Sequence, residues 1–408
     1  MGTMTSSVSL PAPQRAHVIG SDAEALEAAA AARTRLAAGA SARDAERRLP
    51  FPELSELRRA GLLAVTVPHA HGGAEVRFST LAEVLRLLAA GDPNVAQIPH
   101  SHFVYLEGLR LRGTEEQQRL LFGEVIAGAQ IANAQSERGT KTVRDIQTRL
   151  VKRPGGALVL TGEKHYATGS LFADWLAVLA LDGRDRLQVA YVPSDAPGVE
   201  IVDDWDGMGQ RTTGSGTVRL RDVAVDPRLV LAQHVTLQGP QLYGARAQLL
   251  HAAIDAGIAA GALAEAVDVV QRLSRPWFEA GVDRAADDPL VIHRFGELTC
   301  ALRAAEALVA RAAEEIDDLA GTTLTAESAA GASLAVATAK IAADRAAIEI
   351  TNALFEVAGT RSSLDELNLH RHWRNARTHT LHDPVRWKVQ HLGRHTLNGL
   401  LPEQHSAL

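Results

Sequence analysis

The stretch His370-Arg371-His372-Trp373-Arg374-Asn375-Ala376-Arg377-Thr378-His379-Thr380-Leu381-His382-Asp383-Pro384-Val385-Arg386-Trp387-Lys388 sets the frame for the rest of the chain. It places four histidines, three arginines ahead of the proline and two tryptophans within nineteen positions. His379 and His382 are three apart, so at a helix end they share a face. Asp383-Pro384 forces a turn, because proline pushes the residue before it out of helical geometry. Side chains at such a turn can look into a pocket. Beyond it Val389, Leu392, Thr396 and Leu400 resume helical spacing, which makes the stretch the bent last helix of a bundle.

Upstream, the same spacing recurs from Tyr243 onward. Phe295, Leu298, Leu302, Ala305, Leu308, Ala312, Ile316 and Leu319 step by three or four, and Leu334, Ile341, Ile348 and Phe355 recur every seven, as antiparallel bundle helices do. Gly359 is placed to cap a helix end. Residues 237–408 are therefore expected to form a four-helix bundle. Before it, Leu158 to Thr161, Trp175 to Leu181, Leu187 to Pro193, Val199 to Val202, Thr217 to Leu220 and Val223 to Val225 are short β-prone runs between Gly, Asp and Pro turns, giving a β-barrel or sandwich domain over 127–236.

Residues 1–126 read as a helical domain. Ser21 with Glu24, Thr80 with Glu83 and Thr114 with Gln117 are capping-box starts, and Pro52 suits a first helical turn. Val65 to Gly73 reads as a loop or short extended piece. The fold class is α+β, mainly α.

A length of 408 residues with 46% apolar composition allows two or three domains with substantial cores. Scarce aromatics and abundant alanine favour closely packed helices. A net charge of -6 gives no clustered basic surface for nucleic acid or an anionic membrane. Cys300 is the single cysteine, which rules out an internal disulfide and a cysteine-based zinc or iron-sulfur site within one chain. Its helical surroundings place it in the core. The sequence shows no export signal and no run of about 18 apolar residues, so a cytoplasmic protein is expected.

Candidate chemistry lies in three places. The β domain opens with Asn133, Ser136 and Gly139-Thr140, and a later strand ends in His165-Tyr166-Ala167-Thr168-Gly169-Ser170. Both offer small donors beside glycine, where a backbone can approach a planar heterocycle, although polar loops after strands also serve as plain turns. Trp205 could shield a ring or anchor a core. Arg284, in a helix connection, and Arg361, after Gly359-Thr360, could hold an anion or lie solvated. For the histidines, a metal site lacks the carboxylate of the His-Glu-x-x-His motif, which leaves structural histidines or acid-base catalysis.

Gly162-x-Lys164-x-Tyr166-x-Thr168-Gly169, Met208-Gly209-x-Arg211-Thr212 and Val218-x-Leu220-x-Asp222-Val223-x-Val225, followed by the bundle, resemble the acyl-CoA dehydrogenase superfamily along essentially the whole chain. Arg374 to Pro384 resembles its flavin-dependent monooxygenase branch, the dibenzothiophene monooxygenase-like enzymes. His102-Phe103 with Glu107, Ile201 to Gly216 and Arg371 to Lys388 look closest to the sulfur-acquisition oxidoreductases of dimethyl sulfone use. Counting from Arg374, Asp383 stands where many dehydrogenases of the superfamily carry the glutamate base, with His382 before it. The resemblance thus implies a homotetrameric two-component monooxygenase. Reduced FMN, rather than FAD, would come from a separate reductase and react with O2 to a C4a-hydroperoxide that oxidises a small organosulfur compound.

The same resemblance implies the roles of residues. Asn133, Ser136 and Thr168 would bond the flavin or its peroxide, and Tyr166 and Trp205 would wall the pocket. Arg284 from a neighbouring subunit and Arg361 would hold the phosphate. His382, supported by His379, would hold or give the peroxide proton, and His102 would line the substrate side. Loops such as 91–105 and 235–245 are expected to complete the walls. The rivals are an FAD-dependent acyl-CoA dehydrogenase and a flavin-fold protein that binds without turnover.

Overall fold

Segments with apolar residues at helical spacing, alanine-rich in the first, fold as the helices α1 (Asp22–Glu46), α2 (Phe51–Arg59), α3 (Phe78–Gly91), α4 (Pro93–Gln97), α5 (His100–Arg112) and α6 (Glu115–Ile126). This computed structural model describes residues 16–408. The expectation about an N-terminal export signal falls in part on residues 1–15, outside the described residues. The Thr114–Gln117 capping box is complete, whereas Ser21 caps Glu24 but the Glu24 carboxylate turns away to the Gly20 amide at 2.7 Å. Thr80 does not start a helix. The α3 amides of Phe78 and Ser79 instead donate to the Asp317 carboxylate at 2.7 and 3.1 Å, a cap supplied from 239 residues away in sequence and invisible to local pattern.

The strands are β1 (Ile131–Ala134), β2 (Arg149–Lys152), β3 (Leu158–Lys164), β4 (Trp175–Leu181), β5 (Leu187–Pro193), β6 (Val199–Val202), β7 (Thr217–Val225) and β8 (Val230–Leu231). They form one sheet in the order β6-β7-β3-β2-β4-β5-β8, with β1 parallel to β4. The two runs expected at 217–220 and 223–225 are a single strand, β7. It continues through Asp222 at φ 50°, and its pairing with β3 shifts register there. Strand alternation sorts the two cores. Leu176, Val178 and Ala180 join Leu160, Val218 and Leu220 on one face, while Ala177 and Leu179 join Tyr191 against Tyr105, Leu109 and Phe122 of α5 and α6. Burial on both faces explains the continuous apolar runs of β4 and β5. Each large apolar side chain so buried contributes about 1.5–3 kcal/mol.

A short helix α7 (Gln233–Thr236) leads to α8 (Tyr243–Arg272), α9 (Pro289–Asp318), α10 (Ala326–Ala358), α11 (His370–His379) and α12 (Val385–Asn398). The chain turns between α11 and α12 at Asp383-Pro384, as the sequence requires, so the fourth bundle helix is split. Helix α8 is buried along most of its length. It packs closely on α3, because a β-carbon at Gly257 or Gly261 would strike the main chain of Arg86 or Ala90. Cys300 is exposed on α9, contrary to expectation: it lies two positions after the buried Leu298, on the far side of the apolar stripe. No helix among the described residues is long and apolar enough to cross a membrane.

Candidate active site

Residues 91–105, expected as loop, are largely helical, running from the end of α3 through α4 into α5, and they join the two halves of the candidate site. Pro93 suits the first turn of α4, and the Asp92 carboxylate accepts from the Asn94 amide at 3.0 Å while pairing with buried Arg43 at 2.9 Å. Helix α8 supplies Gln248, His251 and Asp255, whose spacing of three and four places them on one stripe. Helix α10 supplies Lys340, and the end of α11 supplies His379 and His382.

His379 and Asp255 have no solvent exposure. His379 Nδ1 is 2.5 Å from Asp255 Oδ1, and the other carboxylate oxygen pairs with fully buried Lys340. Burial would raise the Asp255 pKa, but Lys340 and His379 outweigh it and hold the carboxyl ionised, below its usual range. On its other side His379 Nε2 lies 3.0 Å from Gln97 Oε1 and 3.3 Å from His251 Nδ1. His382 Nδ1 lies 2.7 Å from the His379 carbonyl, and its Nε2 is 3.2 Å from Gln97 Nε2. His100 stacks on His251 at 3.8 Å and donates from Nε2 to the Ala247 carbonyl at 3.0 Å.

Burial drives His100 down to about 4 and His251 well below the usual imidazole value, so both rings are neutral near pH 7. Desolvation and then the charge of His379 push His382 the same way, although one side of that residue is open to solvent. His382 is thus the accessible member and His379 the buried support. Ligand atoms of His251, His379 and His382 lie within 4.8 Å of one another. Both nitrogens of His379 are taken by Asp255 and Gln97, however, so the cluster is built as a hydrogen-bonded chain.

The β-domain half meets this cluster through α4 and α5. Asn133 Nδ2 donates to Ser101 Oγ at 2.7 Å, and Thr168 Oγ1 joins Ser215 Oγ and Thr213 Oγ1 in a chain of 2.7 Å contacts. The loop after β6 is pinned at several points. Trp205 Nε1 donates to the Gln210 carbonyl at 2.7 Å, the Gln210 amide to Asn375 Oδ1 at 2.7 Å, and the Thr212 amide to Asn94 Oδ1 at 3.2 Å. Gly209 permits this, since a β-carbon there would strike the Arg374 carbonyl of α11. Thr212 Oγ1, Ser170 Oγ and both side-chain polar atoms of Gln210 are buried without a hydrogen-bond partner among the described residues. Buried polar atoms in this number call for a ligand or ordered water. Hydroxyls and amides suit the carbonyls and ring nitrogens of a flavin, so the residues present fit that group.

The other expected residues take no part in these hydrogen bonds. Tyr166 is half exposed at φ 57°, with Trp205 at 6.1 Å and the Arg138 guanidinium 5.0 Å over its ring. The Ser136 carbonyl accepts from the His165 amide at 2.9 Å. Arg284 is exposed and 3.9 Å from Asp287, and exposed Arg361 reaches, among the described residues, only the Leu273 carbonyl at 3.4 Å. His102 does not line a pocket: it is wholly buried, Nε2 donating to the Leu63 carbonyl at 2.8 Å and Nδ1 accepting from the Ile131 amide at 3.0 Å. With both nitrogens on main chain and a pKa pushed by burial to about 4, it is a neutral tie between α5 and β1.

Three sequence families match in order: Acyl-CoA dehydrogenase, N-terminal domain over residues 23–129, the middle domain over 132–223 and the C-terminal domain over 249–387. The dibenzothiophene monooxygenase of Rhodococcus erythropolis is 33% identical over 407 residues, 96% of this chain and 98% of that one. The chain belongs to the acyl-CoA dehydrogenase superfamily, in its flavin-dependent monooxygenase branch. Within the superfamily it is also similar to the probable FMNH2-dependent monooxygenase SfnC of Pseudomonas putida, 34% identical with 86% of this chain and 89% of that one covered. The solved structure of methanesulfinate monooxygenase MsuC from Pseudomonas fluorescens superposes with a TM-score of 0.88, 34% identity and coverage of 94% and 99%.

Pattern reading missed Gln97, His100, Gln248, His251, Asp255 and Lys340. A signal existed in α8 and α10, where Asp255 follows Ile254 and Lys340 precedes Ile341 inside apolar helix faces. A charge on such a face needs a buried partner.

Proposed function

We propose that this protein is a reduced-FMN-dependent monooxygenase that adds one oxygen atom to a small organosulfur compound, with the flavin delivered by a separate reductase. The observation that carries the reading is the His379–Gln97–His382 chain. Imidazole, not a free carboxylate, is offered at the bend between α11 and α12. Asp383, which stands at the position of the dehydrogenase base, is engaged instead by Gln248 Nε2 at 2.7 Å. The relatives' named substrates, dibenzothiophene and methanesulfinate, support sulfur as the oxidised element.

Reduced FMN, when bound, would supply the two electrons that activate O2, one oxygen atom going to the substrate and the other to water. Asn133, Ser136, Thr168, Thr213 and Ser215 present amide and hydroxyl groups to the flavin ring, with Gln210 and Thr212 closing the side toward α4. Tyr166 and Trp205 form the outer wall. His382, neutral and with an open side, holds or returns a proton beside the reacting oxygen, and His379 keeps it oriented. The packed imidazoles and helix ends keep water out, which favours oxygen transfer over peroxide release. Arg284 and Arg361 are exposed and free to meet a phosphate. We assign Arg284 to the flavin of a neighbouring copy in a homotetramer, and we place the enzyme in the cytoplasm, where reductase and reduced flavin are made.

The test supplies purified protein with a flavin reductase, NADH, FMN and methanesulfinate or a dialkyl sulfide. Product one oxygen heavier supports the reading. Reduction of a dye by acyl-CoA with tightly held FAD would replace it with dehydrogenation.

A further inference from the structure

The hydrogen bonds of the cluster fix where its proton sits. A main-chain carbonyl can only accept, so the 2.7 Å contact of His382 Nδ1 with the His379 carbonyl requires hydrogen on Nδ1. Because His382 is neutral, its Nε2 is then a lone pair. The Gln97 group 3.2 Å away must be the NH2, which fixes the amide orientation. Gln97 Oε1 therefore faces His379 Nε2 at 3.0 Å, and an oxygen acceptor there requires hydrogen on Nε2. At the far edge His379 Nδ1 lies 2.5 Å from Asp255, whose carboxylate is ionised against Lys340, so Nδ1 carries hydrogen as well. His379 has two N–H groups: it is an imidazolium.

We propose that Asp255 and Lys340 are positioning residues: Asp255, held in place by Lys340, keeps the second proton on His379 and, through the single orientation this gives Gln97, fixes His382 as the Nδ1–H tautomer, whose Nε2 accepts from Gln97 until a reacting group takes the place of that amide. This deepens the monooxygenase reading and rests on it for the role of His382. The groups facing His379 are Asp255 and His251 from α8, Lys340 and Asp344 from α10, Gln97 and His100 from α4 and α5, and His382 and Asp383 from its own segment. Of these only Asp255 touches it as an anion. Lys340 opposes the proton by charge while holding Asp255 in place. Removing either residue should therefore move the proton in opposite directions.

Neutron diffraction from a deuterated crystal of the whole chain at pH 7.5 tests the assignment without flavin or substrate. The expected result is deuterium on both His379 nitrogens and on Nδ1 alone of His382. A single deuteron on His379, or one on His382 Nε2, overturns it. A second measurement follows product formed per flavin oxidised against pH. In Asp255→Asn coupling falls on the order of tenfold near neutral pH. Its alkaline limb moves to lower pH, so that acid rescues it. In Lys340→Met the same limb moves to higher pH. Limbs that stay put or move together contradict the proposal, and an Asp255→Asn chain that does not fold leaves the Lys340→Met shift and the neutron map to decide. Should the wild type make no oxygenated product, the monooxygenase reading fails while the neutron result still judges the proton assignment.

Discussion

Asp255 Oδ1 stands 2.5 Å from His379 Nδ1, and both side chains are entirely shielded from solvent. Lys340, equally buried, holds the second carboxylate oxygen. Removing the anion leaves two buried cations facing each other, whereas removing the lysine leaves Asp255 still paired with His379. Asp255→Leu is expected to cost about 3–5 kcal/mol, and Lys340→Met only about 1–3 kcal/mol. Urea denaturation of the two variants, read by circular dichroism, checks the order. Equal losses would mean that His379 does not share the carboxylate charge.

The neutral buried histidines predict acid lability. His100 and His102 have folded pKa values near 4 against 6.5 when unfolded, both lowered by burial. The unfolded chain therefore binds their protons first. The stability they permit is complete above pH 6.5 and is lost as pH falls through 6.5 toward 4, at up to roughly 1.4 kcal/mol per pH unit for each ring. In His102→Gln, which can still bond Leu63 and Ile131, the slope of unfolding free energy over that window should shrink by about one proton. An unchanged slope would show that His102 is protonated in the native state.

His382 lies at the open edge of the cluster, so its loss should spare the fold and damage the chemistry. His382→Ala is expected to change stability by about 1 kcal/mol or less and to lower product per flavin oxidised on the order of a hundredfold, with hydrogen peroxide released instead. Peroxide and product assays run together read both arms. Normal coupling in this variant would remove His382 from the reaction.

Arg284 has 64% side-chain exposure and its nearest carboxylate is 3.9 Å away, so it is free to bind an anion. Arg284→Ala should leave the melting temperature within a degree or two and weaken FMN binding by roughly 10–100-fold, the worth of a charged phosphate contact. A fluorescence titration gives the number. Affinity equal to wild type would end the phosphate assignment, and light scattering on the same samples tests the tetramer it presupposes.

Much of the architecture was legible because it rests on local pattern. The turn at Asp383-Pro384, the stripe from Phe295 to Leu319 and the doubly buried runs of β4 and β5 all follow from spacing and composition. Strands β1, β2 and β8 did not show, having only four, four and two residues and taking their place from pairing partners. The site was half legible: His379 and His382 announced themselves as a pair, but their partners come from α4 and α8, 124 to 285 residues away, with Lys340 of α10 behind Asp255. His102 failed in the opposite way. A histidine beside Phe103 looks like chemistry until the Leu63 carbonyl and Ile131 amide are seen to occupy both its nitrogens.

Oxygen transfer is tested most directly by supplying isotopically heavy dioxygen to the wild-type protein with flavin reductase, NADH, FMN and methanesulfinate, and weighing the product. One heavy oxygen atom in the oxidised sulfur compound is the expected result. Hydrogen peroxide as the sole fate of the oxygen, across sulfinate, sulfide and sulfone substrates alike, would contradict it.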